Sequence, residues 1–167
     1  VLLVIANEPW QKAGTREVSG AEDRFAVVSA AVEGIRGLEA SRIEIDRGGP
    51  SYTADTIQEL RTTHPEAELF LAVGSDVEAE LGTWHRLEEI VKTVTLVVVE
   101  RAGTTAPAGP AHESQWAGPV HHVRMPTLDI SSSELRERLE QGLSVDFLIP
   151  EPAIRLIRRL GLYSVGR

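Results

Sequence analysis

Seven consecutive residues, Ile130-Ser131-Ser132-Ser133-Glu134-Leu135-Arg136, combine three hydroxyls, a helix start and an arginine. Ser131 and Glu134 have the spacing of a capping box. The sequence therefore predicts a helix that begins here, with backbone N–H groups and the positive end of its dipole open to an anion. Arg136, read as part of the first turn, carries a planar guanidinium that can grip phosphate oxygens with two bonds, where a lysine offers a point charge. The implied chemistry is polyphosphate binding. A capped surface helix with a solvated arginine would use the same letters, so other segments have to decide.

Five further groups of residues bear on that choice. Gly74-Ser75-Asp76 follows an apolar run; the glycine permits close backbone approach, and Asp76 can accept two ribose hydroxyls or simply cap the next helix. Trp84 offers a flat face and one donor, which suit either stacking on an aromatic ring or the core. Ser51-Tyr52-Thr53 follows Gly48-Gly49-Pro50, a loop whose amides could hold a small carboxylate, with Thr53 as the natural helix cap. Lys12 reads as a phosphate ligand or a solvated lysine. His121-His122 resembles a metal pair, but neighbours on a strand point to opposite faces, so no zinc site is assigned.

The elements that must position these residues alternate. Val1–Ala6 is a continuous apolar run, read as a strand covered on both faces of a parallel sheet. A chain that opens on such a strand is expected to be N-terminally incomplete. After a polar loop, Ser19-Gly20-Ala21-Glu22 gives a second capping box, with helix to about Glu33. Ser41–Asp46 alternates like a strand, and Thr53–Thr63 is helical until His64-Pro65 stops it. Leu69–Val73 and Val94–Val99 are strands, with short helical stretches around Trp84 between them. Arg101–Gly118 is rich in Gly, Ala and Pro and reads as an exposed, mobile loop. A strand follows over Val120–Arg124, then the Ser131 helix to about Gly142, and a last helix over Pro152–Leu160 closed by Gly161. Strands joined by helical crossovers predict an α/β fold, a doubly wound and mostly parallel sheet with ligands beyond the carboxyl ends of its strands. In that layout Lys12, Tyr52 and Thr53, then Gly74, Asp76 and Trp84, then Arg101 and the Ser131 helix converge on one edge.

Composition sets the outer limits. At 167 residues the chain is the size of one domain. The formal charge of −8 argues against polymeric nucleic acid and anionic membrane as partners, while allowing a small basic pocket. Without cysteine neither a disulfide nor a thiolate metal site can form. No apolar run reaches the length of a membrane span and no signal peptide is visible, so a cytoplasmic protein is expected. Homo-oligomerisation is left open.

Trp10-Gln11-Lys12, Gly49–Thr56, Gly74-Ser75-Asp76 through Thr83-Trp84-His85, Val99-Glu100-Arg101, Ile130–Arg136 and Gly161-Leu162-Tyr163 occur in this order. Together they resemble the nicotinate-nucleotide adenylyltransferases of the nucleotidyltransferase superfamily, and the resemblance runs from Val1 to Tyr163. The Ser-rich helix start is common to the superfamily; its combination with Ser51-Tyr52-Thr53 and Trp84 marks this family. The resemblance implies a Rossmann-like dinucleotide-binding fold and transfer of an adenylyl group from ATP, carried with Mg2+, to nicotinic acid mononucleotide, giving deamido-NAD and pyrophosphate in NAD biosynthesis. It implies that Ser132, Ser133 and Arg136 hold the ATP phosphates and serve catalysis, that Ile130 belongs to the same ATP-binding site, and that Gly74 and Asp76, also ATP-binding, hold nucleotide sugar. Trp84 would stack on the pyridine ring, backbone around Tyr52, Thr53 and His85 would take the nicotinate carboxylate, and Lys12 and Arg101 would lie near phosphate or the entrance.

The family also carries a Gly-x-Phe-Asp-Pro-x-His-x-Gly-His segment on its first strand and loop, which is absent from this sequence. The expectation is a single nucleotidyltransferase domain over 1–167 that lacks its first strand. Two other readings use the same residues. Another adenylyltransferase of the superfamily, of the pantetheine-phosphate type, would share the Ser-rich helix without needing Trp84 or Ser51-Tyr52-Thr53. A non-catalytic nucleotide-binding module would bind ATP without releasing pyrophosphate.

Overall fold

The computed structural model describes residues 1–9, 18–78, 80–100, 116–126, 128 and 130–164. These fall into two compact units, one of Val1–Ser51 with Asp129–Arg167 and the other of Tyr52–Leu128. Among the described residues every paired strand is parallel, and helices make the crossovers from Leu2–Val4 to Glu39–Ser41 and from Phe70–Gly74 to Thr95–Glu100, the α/β arrangement that the alternation predicts.

In the first unit, β1 (Leu2–Val4) pairs with β2 (Glu39–Ser41), and α1 (Ala21–Val32) makes the crossover. The strand expected over Val1–Ala6 forms, but it is not buried on two faces: Leu2, Leu3 and Val4 are all exposed, and only Ile5 is buried. Among the described residues β1 pairs with β2 alone. α1 begins at Gly20, not in a capping box. No side chain caps it, because the Ser19 hydroxyl donates instead to Tyr163 Oη at 2.9 Å.

The strand expected over Ser41–Asp46 is corrected. β2 ends at Ser41, and α2 (Ile43–Arg47) follows. Two isoleucines two apart suit one turn of helix as well as a strand, and long-range charge decides. Arg42 pairs with Asp46 at i,i+4 and donates twice to Glu22, at 2.7 and 2.8 Å. Gly48 and Gly49 then take positive φ, 72° and 67°, which turns the chain sharply at little steric cost. α6 (Ser132–Glu140) and α7 (Glu151–Leu160) complete this unit. α7 buries Ala153, Ile154 and Ile157 and exposes Arg155, Arg158 and Arg159, one apolar stripe at helical spacing. Gly161, left-handed at φ 63°, closes it.

The second unit is a three-stranded sheet in the order β3 (Phe70–Gly74), β4 (Thr95–Glu100), β5 (Val120–Arg124). α3 (Thr53–Thr63), the short α4 (Ser75–Glu78), a 3-10 turn over Leu81–Thr83 and α5 (Leu87–Thr93) surround it. Leu96 and Val98 of the central strand are wholly buried with Leu81 and Ile90, and Ala54, Ile57, Val94 and Trp116 complete the core. Trp116 corrects the reading of Arg101–Gly118 as an exposed loop. Its ring is buried and its Nε1 donates to Pro119 O at 3.2 Å; residues 101–115 lie outside the described residues.

Candidate functional site

In the first unit the Ser-rich helix start forms as the capping pattern requires. Ser131 has extended backbone, and its hydroxyl accepts from the Glu134 amide at 3.1 Å. That bond fixes the Ser131 hydroxyl as an acceptor of the cap, and Ser132 and Ser133, both exposed, follow on the first two helical positions. Ile130 is half-buried just ahead of the cap. Arg136 stands at the fifth helical position, in the second turn and not the first. Its guanidinium carbon lies 5.7 Å from the centre of the Tyr163 ring, a cation–π distance, and it makes no ion pair with any described residue. Nearby Arg138, by contrast, is spent on Ser144 O.

Two residues that sequence reasoning passed over organise this unit. Arg24 of α1 donates to Ser19 O at 2.9 Å, Ala6 O at 2.7 Å and Asn7 O at 3.0 Å, so one fork satisfies three carbonyls beyond β1. Asn7 in turn donates its amide N–H to Ser51 Oγ at 2.8 Å and Nδ2 to Gly49 O at 3.0 Å, while Glu8 bridges Pro50. The loop at Gly48-Gly49-Pro50 is therefore held against the chain that leaves β1. A side chain with several donors next to a glycine-rich loop was the available signal.

In the second unit Tyr52, not Thr53, is the N-cap of α3, and Thr53 is its first helical residue. No side chain caps this end; the Asp55 amide donates to Tyr52 O at 3.1 Å, and the Thr53 and Ala54 amides stand at the positive dipole end. The Tyr52 and His85 rings lie 4.8 Å apart at 39°, which brings together two residues separated by 33 positions in sequence (85 − 52). Trp84, between the 3-10 turn and α5, is half-buried against the core, and its Nε1 is buried without a partner among the described residues. Gly74 ends β3, and exposed Asp76 folds back over it: a Cβ on Gly74 would lie 2.3 Å from Asp76 Oδ1. The group that approaches the glycine is the Asp76 side chain itself. Lys12 and Arg101 lie outside the described residues.

Arg86 is the residue of this unit that the sequence left unmarked. Its backbone is left-handed, φ 57°, at the N-cap of α5, uncommon for a residue with a Cβ. The guanidinium donates to Asp55 Oδ1, to Gln58 Oε1 at 3.1 Å and to both Glu89 oxygens at 2.9 and 2.7 Å. These bonds, chiefly that to Glu89, raise the Arg86 pKa, and the bond from Arg86 holds Glu89 below the usual carboxylate range.

A model of the cytidylyltransferase-like family matches residues 1–138. The chain is 38% identical over 164 residues to a protein of Saccharopolyspora erythraea named "Probable nicotinate-nucleotide adenylyltransferase", covering 98% of this chain and 74% of the relative. It is 38% identical over 163 residues to one of the same name from Streptomyces coelicolor, covering 98% and 84%. Among solved structures it resembles Plasmodium falciparum nicotinic acid mononucleotide adenylyltransferase complexed with NaAD, with a TM-score of 0.74 over 97% of this chain and 81% of the other. At 17% identity that likeness is one of fold: Rossmann-like, with parallel strands and flanking helices.

Proposed function

The chain belongs to the cytidylyltransferase-like family and, within it, to the nicotinate-nucleotide adenylyltransferases of NAD biosynthesis, and we propose that α6 supplies the phosphate-binding part of its adenylyl transfer and the start of α3 the mononucleotide-binding part. The carrying observation is Arg136: a guanidinium without an ionic partner among the described residues, on a serine-capped helix whose next two hydroxyls are exposed. A buried or paired arginine would have no fork to offer; this one does.

In the reaction a phosphate oxygen of nicotinic acid mononucleotide forms a bond to the α-phosphorus of ATP. The bond from that phosphorus to the bridging oxygen breaks, and pyrophosphate leaves. Both partners are anions, and no covalent intermediate with the protein is required. Catalysis is alignment plus stabilisation of charge on the transferring group. Ser132, Ser133 and the α6 amides would donate to the triphosphate beside Ile130, and Arg136 would meet the charge that develops on it. Asp76, held over Gly74, would accept from ribose hydroxyls. Trp84 would stack on the pyridine ring with the face that the core leaves open, and amides around Tyr52 and Thr53, beside His85, would take the nicotinate carboxylate. Lys12 and Arg101 would lie near phosphate or the entrance. The magnesium ion would arrive on the ATP phosphates. No described helix is long and apolar enough to cross a membrane. A cytoplasmic setting accords with ATP as substrate.

The test is direct. Purified protein with MgATP and nicotinic acid mononucleotide should release pyrophosphate and form deamido-NAD, read by chromatography. ATP binding by calorimetry without pyrophosphate release would leave a nucleotide-binding module and overturn the proposal.

A further inference from the structure

We infer that Arg86 determines the preference for the acid over the amide mononucleotide, acting as a positioning and charge-compensating residue beside the first turn of α3. The inference rests on the proposed mononucleotide role of Tyr52, Thr53 and His85. Asp55 is the third residue of α3, so a carboxylate stands within one turn of amides proposed to receive another carboxylate. Glu89 is a second one nearby, because both reach the same guanidinium. Left alone, Asp55 would occupy the positive end of the helix itself, the usual place of a first-turn acid, and both groups would repel an incoming anion over the roughly 8 Å range that physiological salt leaves unscreened.

Arg86 answers this with geometry and with charge. Its fork draws Asp55 and Glu89 onto one planar group, an arrangement that lysine cannot reproduce with the same directions. The same bonds, with that to Gln58, hold the left-handed turn that carries His85 to Tyr52. The two effects separate by substrate. Loss of the turn would weaken acid and amide mononucleotides alike, since both carry the pyridine ring. Loss of the compensating charge would penalise the acid alone, because only it brings a second carboxylate to the helix start.

The experiment measures initial rates of the purified protein with nicotinic acid mononucleotide and with nicotinamide mononucleotide at saturating MgATP, for the unaltered chain, Arg86→Ala, Arg86→Lys and Arg86→Ala with Asp55→Asn. Arg86→Ala is expected to lower the acid-to-amide ratio of kcat/KM by about tenfold, mainly through KM for the acid, with KM for ATP unchanged. Arg86→Lys should keep most of the ratio, and adding Asp55→Asn to Arg86→Ala should restore it. Equal losses for both mononucleotides, or a ratio that Asp55→Asn does not restore, would make Arg86 a structural brace and overturn the inference. Should Arg86→Ala fail to fold, a lysine variant that folds but loses the ratio would overturn it equally. If the unaltered chain does not turn over nicotinic acid mononucleotide at all, the functional proposal fails, an outcome distinct from any change in ratio.

Discussion

The guanidinium carbon of Arg136 lies 5.7 Å from the centre of the Tyr163 ring, and the hydroxyl of that ring accepts from Ser19 at 2.9 Å. Tyr163 follows the left-handed cap at Gly161 and is itself at φ 59°, so the close of α7 aims a ring at the arginine of α6. Replacing Arg136 with alanine should weaken adenylyl transfer by about 2–4 kcal/mol, the range for a lost charge-stabilising donor. Tyr163→Leu removes the cation–π contact together with the Ser19 hydrogen bond, and Tyr163→Phe removes the hydrogen bond alone; the difference between the two variants should be about 0.5–1 kcal/mol. Steady-state pyrophosphate release measures both, and unchanged turnover of Arg136→Ala at saturating ATP would return that residue to the solvated surface.

Trp84 is half core and half open, and its variants should divide accordingly. Trp84→Ala is expected to cost about 1–3 kcal/mol in mononucleotide affinity, the scale of one aromatic stack. It should also lose about 2 kcal/mol of stability, because the ring packs on the Leu81 and Ile90 core. Trp84→Phe keeps a stacking face and removes a buried donor that has no partner among the described residues, so it should hold stability while retaining most affinity. Calorimetry beside urea unfolding separates the two. Intact mononucleotide affinity in folded Trp84→Ala would exclude stacking.

Gly74→Ala tests why glycine ends β3. The added methyl would meet Asp76 Oδ1 at 2.3 Å, the mobile end of a side chain, which can rotate away at small cost. Folding should survive, within about 1 kcal/mol, while ATP or mononucleotide binds less tightly for want of the ribose acceptor. Asp76→Asn, which keeps the shape, should be the milder change. Wild-type affinity for both substrates in Gly74→Ala would remove Asp76 from the sugar site.

Two ion pairs fix the direction of the acid response. Glu22 and Glu89 are each held below the ordinary carboxylate value of 4.5, first by the hydrogen bonds from Arg42 and Arg86. A lowered folded-state pKa contributes stability that is complete above the unfolded-state value and is lost as pH falls through the folded-state value. Urea unfolding at a series of pH values should therefore show stability declining below about pH 4.5, more steeply than in Glu22→Gln or Glu89→Gln. Both carboxylates are exposed, so the difference should be small and shrink with salt. A wild-type profile no steeper than those of the variants would contradict these pairings.

The sequence by itself determined elements whose signals are local. Thr53–Thr63 and Val120–Arg124 occur with the predicted bounds, and the Ser131 cap forms as its spacing requires, because a cap, a breaker and an alternating run act on neighbouring residues. It also fixed the α/β order and the family, through motifs that each sit within a few residues. Tertiary structure decided whatever depended on partners far along the chain. Arg42 reaches Glu22 across 20 residues and turns an expected strand into α2, Ser19 leaves its helix for Tyr163 across 144, and Arg86 finds Asp55 across 31. An arginine's fork is satisfied by whichever carboxylates and carbonyls the fold delivers to it, and no local pattern announces them. For the same physical reason Trp116 is core where its sequence reads as loop: its indole is buried in one cluster with Leu96 and Val98 of β4 and with Leu81 and Ile90, residues far along the chain that its own neighbours in sequence do not announce.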